Sequence, residues 1–484
     1  MNIVSTYTWC QFAPAFFLVG LAALLILADA LLPRICKRSY ALIGAIGALG
    51  TACHQHFVIG GNLFGSLACI ATGLSLLLAF DYKKVSCESI AGAGNEEGTG
   101  EFYALPLVAC AGILCLTQAR DLVMLFVSLE VVTLTSYVLA GYFRRNQGSI
   151  EAGIKYLVLG AMSTGILVYG ASWYFGVTGS FTLGGPTVVH ALMGGVAGSP
   201  NVTFAFLMAI ALLFSGAFFK IGAVPMHIWI PDVYQGAPTP TTTFLAVGSK
   251  TAGFALLCLL ALPFGAMAVP GNFIGDILVW SFAIVATATL IIGNLGALRQ
   301  NNLKRLLGYS SIGQAGFILV FFLNLGGPVV SMVCTYMLAY TLATAAAFFA
   351  VAMVRTQRGS EEIAAFRGLG KTNPRTAFLI TVCFASLAGV PLTMGFLVKM
   401  YSFVIAINVI GAWNGLCWLL PVMIVTAGSG FYYYFKVIRA MYWEKPQPGD
   451  KPLQVPMCTA IVLTACVIAL IYMGTLPMLV NGWV

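Results

Sequence analysis

The chain has 484 residues, of which 60% are hydrophobic and 8% charged, with a mean hydropathy of +0.94 and a formal charge of +9. That composition excludes a soluble globular domain and describes a polytopic membrane protein. The basic surplus and the pI near 8.9 follow the membrane topology described below and do not indicate a nucleic-acid partner.

A bilayer-spanning helix needs roughly 20 apolar residues. Runs of that length, punctuated by Lys, Arg, Gly or Pro, predict fourteen spans: 13–32, 40–58, 62–80, 103–119, 121–142, 154–177, 203–231, 239–264, 273–298, 304–324, 328–354, 376–409, 414–438 and 456–478. The first lacks a basic leader and a small-residue cleavage site, so it reads as a retained span and not a removable signal. The most polar loop, 82–102, sets three leading helices (1–102) apart from two groups of five (103–264 and 273–440) and a last helix within 441–484. An odd number per group makes the second copy enter the membrane from the opposite side. The expected fold is therefore all-α, with two inverted five-helix repeats.

Counting the loops alternately places Arg34, Lys37, Arg38, Lys83, Lys84, Arg144, Arg145, Lys155, Arg299, Lys304, Arg305, Arg355, Arg358, Arg367, Lys371, Arg375, Lys436, Arg439, Lys445 and Lys451 on one side, 20 of the 24 basic residues. Arg120 alone falls on the other. The positive-inside rule makes the basic side cytoplasmic and puts both termini outside.

The three remaining lysines, Lys220, Lys250 and Lys399, lie deep in apolar spans, as does Glu130. At roughly 2.5 to 3.5 kcal/mol each, four such groups oppose insertion by roughly 10 kcal/mol unless paired or hydrated, so the default reading is an ion or proton path. Glu130 sits nine residues after Asp121 and heads a polar stripe with Thr133 and Tyr137 at i+3 and i+7. Lys220 precedes Ile221, Gly222, Ala223, Val224, Pro225, and a faint echo of that segment, Leu387, Ala388, Gly389, Val390, Pro391, precedes Lys399. Gly and Pro in mid-span predict that helices 7 and 12 are broken at Pro225 and Pro391. Unwound backbone at that depth belongs beside a cavity or inside protein; an ordinary packing kink is the plainer alternative.

A desolvated lysine loses its proton readily and a nearby carboxylate opposes that loss, so a movable Glu–Lys pair can switch a lysine's charge. On this reading Glu130 pairs with Lys220, Lys250 is the central relay, and Lys399 is the exit or entry group. A static buried pair would account for one lysine and leave two unexplained. Ser310, Gln314, Tyr336, Tyr340 and Thr344 fall at helical spacing and suit water-holding positions, although such residues also join helices by ordinary hydrogen bonds. His227 suits a proton relay or a simple hydrogen bond equally. His54 and His56 point to opposite helix faces, and the 13 cysteines show no ligand spacing, so no metal site is expected. No dinucleotide fingerprint, phosphate loop or nucleophile elbow is present, so no cofactor is expected in this chain.

FKIGAVPMHIWIPDVYQGAPTPTTTFLAVGSK (Phe219 to Lys250), NNLKRLLGYSSIGQAGF (Asn301 to Phe317) and SLAGVPLTMGFLVKMYSF (Ser386 to Phe403) resemble the antiporter-like subunit N family of bacterial respiratory NADH:quinone oxidoreductase, counterpart of mitochondrial subunit 2. The resemblance runs from about residue 100 to residue 440. It implies a proton-translocating module of the complex I membrane arm, in the bacterial inner membrane with periplasmic termini. It also implies that Glu130, Lys220, Lys250 and Lys399 carry the relay. NADH, FMN, iron–sulfur clusters and quinone would then belong to partner subunits, beside other membrane-arm subunits that include homologous antiporter-like ones. The alternatives are an Mrp-like cation/proton antiporter subunit and a scaffold whose buried charges only fix helix register.

Overall fold

A computed structural model describes residues 9–31, 38–57, 62–82, 100–183, 200–267, 269–446 and 452–476. Most of the polar loop expected at 82–102, the chain ends, and Arg34, Lys37, Lys83, Lys84 and Lys451 lie outside the described residues. Three leading helices, α1 (Trp9–Leu31), α2 (Arg38–Phe57) and α3 (Leu63–Asp81), are followed by α4 (Gly100–Leu116), α5 (Leu122–Ala140) and α6 (Gln147–Thr178). The seventh span is split into α7a (Pro200–Ile221) and α7b (Trp229–Gly236). Next, α8 runs through Thr239–Phe244, a π turn at Leu245–Ser249 and Lys250–Ala261. After α9 (Phe273–Leu298), α10 (Leu303–Leu319) and α11 (Val329–Arg358), the twelfth span is again split, into α12a (Pro374–Ala388) and α12b (Met394–Ala412). The described chain ends with α13 (Leu419–Tyr442) and α14 (Met457–Thr475).

Among the described residues, twelve helices are long and apolar enough to cross a membrane. Of the fourteen expected spans, α4 is shorter, α12a is the short half of a broken span, and α2 is not among the twelve. Local signals set the ends. The side chains of Asp121 and Asn302 accept from Met124 N at 2.7 Å and Arg305 N at 3.1 Å, capping α5 and α10. Gly179 and Gly359 close α6 and α11 in the left-handed conformation, with φ of 68° and 72°.

Contacts at the helix ends confirm the alternating crossings. One face gathers Lys155 and Arg305 on Asp232, each at 2.8 Å, and Lys436 on Asn301 at 2.9 Å. At the opposite face Trp413 Nε1 donates to Asp276 at 2.9 Å and Tyr174 to Thr182 O at 3.0 Å. Burial ranks the helices: α8, α10 and α11 are 89–94% buried, whereas α1 and α13 are 28% buried. The innermost three therefore carry Lys250, Ser310, Gln314, Tyr336 and Tyr340 away from lipid.

Candidate proton pathway

Both predicted breaks are present. Gly222 and Gly389 take φ of 73° and 90°, Leu392 takes 73°, and the Val224–Pro225 peptide is cis. Positive φ is where glycine costs least, which explains Gly at both turns. At the first break the freed backbone groups find protein partners: Val224 N–H donates to Thr289 Oγ1 of α9 at 3.0 Å, and Trp229 Nε1 donates to Phe219 O at 3.0 Å. His227 lies half-buried in the turn, beside the Pro225 backbone. At the second break the partner is a lysine. Lys399 Nζ, reaching back from α12b, donates to Leu387 O at 2.7 Å and Ala388 O at 2.8 Å, at the negative end of α12a.

Lys220, Lys250 and Lys399 are 4%, 1% and 6% exposed, so all three ammonium groups are held inside protein. Lys220 Nζ donates to Thr133 Oγ1 at 2.9 Å. Glu130 is within electrostatic reach of Lys220, but the two form no ion pair, and one of its oxygens is buried without a protein partner. The expected direct Glu130–Lys220 pair is thus corrected to an indirect one. Thr133, one turn beyond Glu130 on the same face, occupies the position of the lysine's partner. Lys250 Nζ donates to Ser311 O at 2.5 Å and sits 5.9 Å from the centre of the Tyr340 ring. The π turn that ends at Ser249 precedes it directly, and single π turns inside α-helices recur at functional positions.

On the Lys399 side the polar side chains join up, ending short of Lys250. Gln314 Nε2 donates to Leu387 O at 3.1 Å, the same carbonyl that receives Lys399, and to the Tyr434 hydroxyl at 3.2 Å. Tyr336 donates to Gln314 Oε1, and Ser310 shares a hydrogen bond with Tyr434. Tyr340 lies beside Ser311 and Thr344. A cavity of about 10 Å³, room for roughly one water, is lined by Gln314, Tyr336, Tyr340 and Lys399. Ser310, Gln314, Tyr336 and Tyr340 therefore converge on one spot. Tyr137 instead packs edge-on against Tyr156 of α6, with a buried, unpartnered hydroxyl.

Two participants carried no readable sequence signal. Tyr434, on α13, was one aromatic among several in an outer span. Lys304 was counted with the loop residues, yet it is fully buried: its Nζ donates to Ala237 O at 2.7 Å and pairs with Glu361 at 3.2 Å. Among the described residues no three His, Cys, Asp or Glu side chains gather in a way that would hold a metal ion.

Broken helices, buried lysines and a hydroxyl–amide bridge define an antiporter-type membrane protein. The family model for the NADH:quinone oxidoreductase/Mrp antiporter transmembrane region matches residues 119–425. NADH-quinone oxidoreductase subunit N of Brevibacillus brevis is 33% identical, the match covering 99% of this chain and 95% of that protein; the Bacillus anthracis subunit N is 34% identical over the same shares. The chain belongs to the subunit N family of NADH-quinone oxidoreductases. A chain of respiratory complex I from Thermus thermophilus superposes with a TM-score of 0.75 at 29% identity, covering 96% of this chain and 98% of that one. A chain of the Mrp complex from Dietzia superposes with a TM-score of 0.78 at 19% identity over 98% and 96%, a likeness of fold.

Proposed function

We propose that this chain moves protons across the bilayer as a membrane-arm subunit of an NADH:quinone oxidoreductase, driven by redox chemistry in partner subunits. The observation that carries the reading is the shared Leu387 carbonyl. It receives both Lys399 and Gln314, whose amide also meets the hydroxyls of Tyr336 and Tyr434, and the water-sized cavity beside them is lined by Lys399 and by Tyr340, whose ring lies next to Lys250, so that one water there would stand between the two lysines' surroundings. Lys220, with Thr133 and Glu130, forms the corresponding group of the first. Helices 103–264 and 273–440 act as two inverted halves, each with one broken helix, and Lys250 passes protons between them. The electron carriers, NADH, FMN, iron–sulfur clusters and quinone, belong to partner subunits, and homologous antiporter-like subunits are neighbours in the membrane. The basic face is cytoplasmic in a bacterial inner membrane, so protons leave toward the periplasm.

Similarity to subunit N relatives over 99% of the chain supports this reading over an Mrp-type antiporter, with which the chain shares the transmembrane family model and the fold. The test is Lys220→Met in the intact complex reconstituted in vesicles. NADH-driven acidification should fall at least tenfold while the subunit stays assembled. Unchanged acidification refutes the assignment, and cation-dependent proton flux through the purified chain alone would favour the antiporter.

A further inference from the structure

On the lateral surface between α5 and α6 lies a cleft of about 800 Å³, within the roughly 300–1,000 Å³ range of ligand sites. The proton pathway does not use it. Its outer walls are lipid-depth apolar side chains, Leu134 and Val138 of α5 and Ile154 and Leu157 of α6, each about half exposed. Its floor is low because Gly141 and Gly153 bring the two backbones together: a Cβ on Gly153 would stand 2.8 Å from the Gly141 Cα. At the basic end the lining turns charged. Glu101, in the first turn of α4, and Arg144, just beyond α5, are both exposed, line the cleft and flank Tyr142. Neither makes an ion pair with another described residue. Tyr137, 7% exposed, lines the inner wall, and its hydroxyl is buried without a partner.

An apolar slot that opens sideways at membrane depth and ends in one carboxylate and one guanidinium matches an amphiphile with both charges in its headgroup. We propose that the cleft is a binding site for a phospholipid with a phosphate and a primary ammonium, of the phosphatidylethanolamine class. Arg144 takes the phosphate, with the two-pronged geometry that guanidinium offers an oxyanion. Glu101 takes the ammonium, a contact that an uncharged glycerol headgroup cannot make. The acyl chains lie along Leu134, Val138, Ile154 and Leu157.

The test uses the intact complex in phosphatidylglycerol vesicles carrying a small, equal fraction of a photo-crosslinkable phosphatidylethanolamine or phosphatidylglycerol, followed by peptide mapping. The ethanolamine probe should label the 134–157 segment at least fivefold more than the glycerol probe. Glu101→Gln should bring that ratio to about one while labelling persists, and Arg144→Gln should lower labelling by both probes. Arg145→Gln, exposed but outside the cleft, should change neither. Equal labelling by the two probes in the unaltered complex overturns the proposal. So does crosslinking of Val138→Cys to a neighbouring subunit with lipid labelling absent, which would show a protein helix in the cleft.

Discussion

The two broken helices solve one problem in opposite ways. In α7 the backbone groups released by unwinding are taken up by Thr289 and Trp229, leaving Lys220 bound only to the Thr133 hydroxyl. In α12 the lysine itself takes up the released carbonyls, Leu387 O and Ala388 O. A lysine that is not part of its helix's own repair is able to change partner without unwinding anything. One that is part of the repair cannot leave without exposing buried carbonyls. Under the proposed function, this difference would make Lys220 the mobile, switching group and Lys399 a fixed terminus whose carbonyl partner is shared with Gln314.

The largest expected effect tests that asymmetry directly. Lys399→Met orphans Ala388 O and weakens the cap on α12a, so it should destabilise the chain by about 2–3 kcal/mol, whereas Lys220→Met should cost about 1 kcal/mol or less. Thermal unfolding of the two variants in detergent, side by side, reads the difference; equal shifts would erase the distinction. Next in size, Gly389→Ala forces a Cβ onto φ of 90° and to 3.0 Å from Lys399 Cδ, for a loss of about 1–2 kcal/mol together with slowed pumping. Gly179→Ala, also at positive φ but in open space, should cost similar stability and leave pumping intact. Gln314→Leu strips three hydrogen-bond contacts and strands the Tyr336 hydroxyl; about 1–1.5 kcal/mol of stability and most of the proton flux should go with it, with Gln314→Glu retaining more flux than Gln314→Leu. Smallest is Thr133→Val, which removes the Lys220 acceptor: about 1 kcal/mol, with flux restored by Thr133→Ser, which keeps the hydroxyl.

How much of this could be read before the fold was known differs between residues. Lys220, Lys250, Lys399 and Glu130 were visible because a charge in an apolar run is costly wherever the run packs. Pro225 and Pro391 were visible because proline removes a backbone donor irrespective of its neighbours. What escaped were facts set by distance between helices. Thr133 and Glu130 share a face, and only packing decides which of them meets Lys220. Lys304 sits in a run of polar and basic residues indistinguishable from a loop, and its burial depends on Ala237 and Glu361, 67 and 57 positions away. Tyr434 belongs to an outer span, so its inward reach to Ser310 and Gln314 left no trace in hydropathy. The π turn before Lys250 has ordinary helix-compatible residues, Leu245, Ala246, Val247, Gly248 and Ser249, and no local signature.

Lys250 belongs to neither break and stands between them in the proposed route, so it tests the whole account most directly. Proton release per NADH oxidised, measured in vesicles containing the complex with Lys250→Met, should drop clearly below that of the unaltered complex, with Lys250→Arg retaining more. An unchanged ratio in Lys250→Met, with the subunit fully assembled, would contradict a proton route through this chain.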